Sequence, residues 1–180
     1  MPPWFSHICS YQRIESNSPS SSWVQLATLG IDNKPKVRTV VFRDWSDLYE
    51  MIIFTDIRSQ KYNEIKANKS SEICWFFRKS NCQFRFSGSA KIDLGNDRDH
   101  YWEKLSENSK SMWGWPNPGD HFENDQISYL RNKQNYNQFD NFSLLKINIT
   151  HVEQLILEVP IHKRRRWIRK NEWIEEQINP

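Results

Sequence analysis

No run in this 180-residue chain approaches the ~18 consecutive apolar residues of a membrane-spanning helix. The opening Met-Pro-Pro-Trp is not a charged segment followed by an apolar one, so the sequence predicts no secretory leader and a cytoplasmic protein. Cysteine is scarce: Cys9, Cys74 and Cys82 are odd in number and lack metal-ligand spacing, which argues against a disulfide framework and for a reducing compartment. The five histidines, at positions 7, 100, 121, 151 and 162, show no i,i+4 or Cys-paired metal pattern. G-x-G-x-x-G and Walker loops are missing, which excludes the Rossmann and P-loop ways of holding a nucleotide, and no G-x-S-x-G marks a hydrolase nucleophile. An excess of one charge is missing too. Lys and Arg number 25 against 22 Asp and Glu, a net charge of +3, too even for a protein whose main work is coating nucleic acid. Any basic site must therefore be local. With neither an internal repeat nor a linker, residues 1–180 read as a single domain.

What the chain does have is aromatic bulk. Nine Trp, ten Phe and six Tyr offset a modest 37% hydrophobic content and supply the area for a core. Residues 5–16 have the pattern of a short helix, and a Ser/Pro/Asn cluster at 16–22 reads as a loop. Strands are expected at 23–29, 37–43, 48–55, 71–78 and 82–92, with turns between them short enough for antiparallel pairing. The period changes to helical at 59–68, where Ser59 is a candidate cap, and again at 96–106, with Asp97 as the N-cap. An aromatic loop follows at 113–119, a further helix at 125–135, and strands at 142–150, 152–158 and 164–168. Many short strands with a few helices inserted late predict a mainly β protein, a small barrel with helices packed on it.

Four stretches carry candidate chemistry. In Val-Arg-Thr-Val-Val-Phe-Arg, Arg38 and Arg43 are five apart, which puts them on opposite faces of a regular strand; a shared site would need a strand end or a bulge. Each also reads as an ordinary exposed Arg. In Thr-Asp-Ile-Arg-Ser-Gln-Lys, the hydroxyls of Thr55 and Ser59, the cations of Arg58 and Lys61 and the amides of a helix start form a set suited to a phosphate. The competing reading is a capped surface helix with solvated charges. Gln83, at a strand start, offers a side-chain amide to a ring that both donates and accepts. Residues 162–170, His-Lys-Arg-Arg-Arg-Trp-Ile-Arg-Lys, are the densest basic run, and Trp167 and Ile168 interrupt it as a half-buried strand would.

The order of these pieces resembles the pyridoxamine 5'-phosphate oxidase-related FMN-binding proteins. The likeness rests on Arg-Thr-Val-Val-Phe-Arg, Phe-Thr-Asp-x-Arg-Ser-x-Lys, a Cys-x-Phe-Phe strand, Gln-Phe-Arg-Phe-x-Gly and a C-terminal Arg-Arg-Trp, and it runs from about Trp23 to Pro180. Trp-x-Trp-Pro-x-Pro-Gly at Trp113–Gly119 is similar to a short branch of that family. The resemblance implies an FMN-binding split β-barrel that forms a homodimer, with the flavin in a groove between subunits. It implies FMN contacts from Arg38, Arg43, Thr55, Arg58, Ser59, Lys61 and Gln83, and from Arg164 reaching across from the partner chain. The activity implied is hydride transfer from the amine or alcohol carbon of pyridoxamine or pyridoxine 5'-phosphate to FMN, with reoxidation by oxygen.

Two departures bear on the substrate. Where the family's oxidases carry Tyr-Phe-x-x-Arg-Pro, this chain reads Tyr-Trp-Glu-Lys-Leu-Ser, with Leu105 in place of the phosphate-gripping Arg. The family's Arg-x-His-x-Arg reads Pro-Ile-His-Lys-Arg, which keeps His162 as the candidate residue near the substrate and replaces the first Arg by Pro160. Three functions follow as expectations: a vitamin B6-type flavoenzyme, an FMN-dependent reductase of another small substrate, and a nucleic-acid or partner-binding module built on residues 162–170.

Overall fold

The computed structural model describes residues 1–122 and 138–180; the helix expected at 125–135 lies outside the described residues. The chain begins with α1 (Pro3–Glu15), which starts on a proline suited by its fixed φ to a first helical turn, and a 3-10 turn at Pro19–Ser22. Three antiparallel strands follow, β1 (Trp23–Leu29), β2 (Pro35–Trp45) and β3 (Met51–Asp56), and then α2 (Gln60–Ala67). Next come β4 (Ser70–Phe77), β5 (Cys82–Asp93), α3 (Asn96–Glu103), α4 (Glu107–Ser111) and a 3-10 turn at Met112–Gly114. After the undescribed residues the chain resumes in α5 (Gln138–Asn141) and ends in β6 (Phe142–Ile156), β7 (Lys163–Arg169) and β8 (Trp173–Ile178).

All these strands lie in one sheet, ordered β3-β2-β1-β4-β5-β6-β7-β8, and β3 also pairs with β6. That pairing closes β1 to β6 into a six-stranded split barrel, with β7 and β8 running off its rim. Closure depends on β6, whose first half, Phe142–Ile147, pairs with β3 while its second half, His151–Ile156, pairs with β7. The handover falls at a register shift where Ser87 and Gly88 of β5 face His151 and Ile149. Gly88 is required there, because a Cβ would lie 2.3 Å from the Asn148 carbonyl oxygen.

The residues pointing into the barrel alternate along each strand, as a period of two demands: Val24 and Leu26, Ile73 and Trp75, Phe84 and Phe86, Leu145 and Ile147 are all buried in one core. Helices stopper the barrel. From α1, Trp4 meets Trp45, Phe86 and Trp173 at centroid distances of 5.6–5.8 Å, and from α2 the buried Ile65 joins the same core. A second cluster, Ile52, Phe142 and Leu144, uses the outward face of β3 and β6 and is covered by Phe54, Tyr101, Trp102, Leu105 and Trp113. No helix among the described residues is long and apolar enough to cross a membrane.

Several expectations are corrected. The strands expected at 142–150 and 152–158 are one continuous β6, because the bulge is absorbed without breaking the ladder. The helix expected at 96–106 ends at Glu103, its N-cap is Gly95, and Asp97 instead bonds Lys146. Ser59 does occupy the N-cap of α2 but makes no side-chain cap: its hydroxyl donates to the Asp56 carbonyl at 2.7 Å.

Candidate functional site

The end of β3 and the start of α2 meet the β1–β2 hairpin at one mouth of the barrel. Arg38 shares the inward parity of Val40 and Phe42, and at this mouth its guanidinium finds polar partners. Its Nη1 donates to Thr28 Oγ1, and its Nη2 donates to Glu64 Oε2 at 2.6 Å. Lys61, on the next turn of α2, donates to Ser59 Oγ at 3.0 Å. Burial, and after it the positive charge of Arg38, lowers the pKa of Lys61 below 10.5, with Asp56 and Glu64 pulling the other way. Two cations are therefore crowded together in a partly desolvated place. At the end of β3, Thr55 is 1% exposed, and its Oγ1 is buried with no hydrogen-bond partner among the described residues. A buried orphan hydroxyl is costly unless a ligand completes it. Crowded cations and an unpaired hydroxyl at a strand end together suit an anion with several acceptor oxygens, of which a phosphate is the usual case.

The other expected residues divide among three places. β2 does carry a register shift between Phe42 and Asp44, around Arg43. It leaves Arg43 outward, over the Phe54 ring at 4.9 Å, and does not bring it to Arg38. Gln83 and Arg164 do meet, on a cavity of about 110 Å³ shared with Arg85, Glu153 and Leu155 on the outer face of β5, β6 and β7. There Glu153 Oε2 accepts from Arg164 Nε and Nη2 at 3.1 and 2.6 Å and also from Arg85. Burial alone would raise the Glu153 pKa, but Arg164 and Arg85 outweigh it and hold the carboxyl below its ordinary value.

His162 is exposed in the turn between β6 and β7, with Nδ1 3.0 Å from the Glu158 carbonyl. A carbonyl only accepts, so Nδ1 carries a proton in this contact.

Arg58, expected as a phosphate cation, has its donors engaged by protein atoms. Nε and Nη2 grip the Asp56 carboxylate at 3.0 and 2.7 Å, Nη2 also reaches the Trp113 carbonyl at 3.3 Å, and Nη1 reaches the Trp115 carbonyl and Asn117 Oδ1 at 2.9 and 3.3 Å. A guanidinium has five N–H donors, and these five bonds take them all. Arg58 latches the aromatic loop to the strand end. Leu105 packs on the Ile52, Phe142 and Leu144 cluster, which explains why an apolar side chain stands there. The basic run is largely neutralised: Lys163, Arg164, Arg165 and Arg166 pair with Glu158, Glu153, Glu175 and Glu176 respectively. That leaves little of the field that nucleic-acid binding draws on.

Sequence reasoning missed Thr28, Glu64, Arg85 and Glu153. Glu64 carried one usable signal, its position three residues after Lys61, which puts both on one helical face.

Comparison with known proteins agrees with this architecture. Residues 1–93 match the family model described as pyridoxamine 5'-phosphate oxidase, FMN-binding domain. Pyridoxine/pyridoxamine 5'-phosphate oxidase 2 of Arabidopsis thaliana is 36% identical over 70% of this chain and 68% of its own length. An oxidase of Psychrobacter cryohalolentis is 33% identical over 59% of this chain, but over only 50% of its own length. Among solved structures, a pyridoxamine 5'-phosphate oxidase-related, FMN binding protein of Nostoc punctiforme superposes with a TM-score of 0.88 at 28% identity, covering 100% of this chain and 99% of that one. PhzG of Burkholderia lata, at 18% identity and a TM-score of 0.82 over 97% of this chain and 90% of its own, shares the fold. The closed barrel, the match over more than half of the sequence and the Arabidopsis relative lead to one assignment: the chain belongs to the FMN-binding pyridoxamine 5'-phosphate oxidase family, and FMN is its cofactor.

Proposed function

We propose that the chain is an FMN-dependent oxidoreductase acting on pyridoxamine or pyridoxine 5'-phosphate or a close analogue, and that it works as a cytoplasmic homodimer. The observation that carries this reading is the anion cradle at the barrel mouth, where Arg38 and Lys61 are crowded together and Thr55, at the end of β3, buries a hydroxyl with no partner among the described residues. These residues fit the phosphate of FMN, and Ser59 completes the set through its bond with Lys61. Bound there, FMN would supply the hydride acceptor and return electrons to oxygen. Arg43 with Phe54, and Gln83 with Arg164, are the further contacts assigned to the flavin, the last pair from the partner subunit. His162 is the candidate to face the substrate.

The dimer is supported by the outer face next to Gln83. Trp23 and Phe76, 53% and 43% exposed, line one cleft of about 690 Å³, and large aromatic surface left open is characteristic of interfaces. A second reading, an FMN-dependent reductase of another small substrate, is favoured by one observation: Leu105, packed in an apolar cluster, offers no charge to a substrate phosphate. The test is direct. A yellow purified protein with flavin absorption bands supports the cofactor, and formation of pyridoxal 5'-phosphate under oxygen supports the oxidase. Bound flavin without that product would favour the reductase, and a colourless protein that takes up no added FMN would defeat both.

A further inference from the structure

A carboxylate stands in the middle of the anion cradle. Glu64 is 4% exposed, and by charge alone it should oppose a phosphate. Its bonds suggest another purpose. Thr28 Oγ1 donates to Glu64 Oε2 at 2.6 Å and accepts from Arg38 Nη1, while Arg38 Nη2 donates to the same Oε2 at 2.6 Å. The three side chains close a ring. Arg38 Nη1 is further held toward the Leu26 and Lys36 carbonyls, each at 3.4 Å. The tip of the guanidinium is thereby taken up by the protein. Nε and the second Nη2 hydrogen, one edge of the fork, have no partner among the described residues. A side-on edge of this kind is what a phosphate meets with two parallel hydrogen bonds. Lys61 and Glu64 are one helical turn apart on α2, so the helix that carries the second cation also carries the group that aims the first.

Taking the FMN reading as its basis, we infer that Glu64, steadied by Thr28, is a positioning residue that turns the side edge of Arg38 toward the flavin phosphate. Removing its negative charge therefore weakens phosphate binding, although it makes the cradle more positive. The two accounts of Glu64 predict opposite signs. If the carboxylate were only a nearby negative charge, neutralising it would tighten anion binding. If it fixes the fork, neutralising it lets the long Arg38 side chain sample other rotamers, and ordering the chain again on binding costs affinity.

The experiment measures dissociation constants for FMN and for riboflavin, which lacks the phosphate, by flavin fluorescence with flavin-stripped parent protein, Glu64→Gln and Thr28→Val. The expected result is a loss of about tenfold or more in FMN affinity for Glu64→Gln, a smaller loss for Thr28→Val, and riboflavin affinity unchanged in both. FMN binding by Glu64→Gln as tight as the parent's, or tighter, overturns the inference and leaves the FMN reading standing. Equal losses for FMN and riboflavin also overturn it, since a general folding defect would not single out the phosphate. Should Glu64→Gln fail to fold, Thr28→Val decides by the same FMN-to-riboflavin comparison. A parent that binds no FMN overturns the reading and this inference with it.

Discussion

A side chain's polar atoms show most clearly whether a site is complete. Thr55 Oγ1 is buried with no hydrogen-bond partner among the described residues, and such a group destabilises a fold by about 1–3 kcal/mol. Thr55→Val should therefore leave the flavin-free protein equally stable or more so, while lowering FMN affinity severalfold. Thermal melting of both forms with and without FMN checks this, and a destabilised flavin-free variant would refute it. Arg38→Ala and Lys61→Ala each remove a charge-assisted contact of about 1.5–3 kcal/mol, so each should weaken FMN at least tenfold. Arg58→Ala should behave differently, since its donors hold Asp56 and the Trp113 and Trp115 carbonyls. Faster proteolytic cleavage near residues 112–119, with FMN affinity falling less than in Lys61→Ala, is its expected signature. At this scale the sequence revealed residue types but not their partners. The Thr55–Lys61 stretch reads as phosphate-friendly because hydroxyls and cations lie side by side in the chain. The Thr28–Glu64–Arg38 ring joins two strands and a helix, and no local pattern encodes it.

Elements were legible where their period was undisturbed. β1 and β4 alternate cleanly, and their burial follows the sequence. From sequence β6 reads as two strands because the bulge opposite Gly88 breaks its alternation, and only the partners on either side show that the ladder continues. Gly88→Ala would push a methyl against the backbone at Asn148, with an expected cost of about 1–3 kcal/mol seen as a lower melting temperature. α3 depends on a different device. Lys146, buried on β6, holds Asp93 at 2.5 Å and also Asp97, tying the helix to the barrel. Burial alone would raise the Asp93 pKa, but Lys146 and the Gly95 N–H bring it below 3.8. For Lys146, burial lowers the pKa and the two carboxylates more than reverse it, to above 10.5. The carboxylate's contribution is present above 3.8 and is lost as the pH falls through the depressed value. The ammonium's is present below 10.5 and is lost as the pH rises through the raised one. Asp93→Asn should thus melt lower than the parent at neutral pH, by about 1–2 kcal/mol of stability. The gap should close on acidification below 3.8. A gap that persists in acid would assign the effect to packing.

At the scale of the molecule, the proposed flavin contacts fall in separate places among the described residues. Arg38, Ser59 and Lys61 belong to the barrel mouth under α2, whereas Gln83 and Arg164 share a cavity on the outer face of β5 and β7. A second copy packed on that outer face would let one chain's mouth meet the other's Gln83 and Arg164. The exposed Trp23 and Phe76 provide the apolar area such a contact needs. Phe76 points outward from β4, so Phe76→Glu should spare the core of each barrel while burying a charge at the proposed interface. A buried unpaired carboxylate disrupts association strongly. Light scattering should then show the variant shifted to monomer, circular dichroism should show an unchanged barrel, and flavin absorbance should show FMN largely lost. Retention of stoichiometric FMN by a true monomer would mean that one chain holds the cofactor unaided. Gln83 and Arg164 would then need another role, for which the Arg85–Glu153–Arg164 cluster is the starting point.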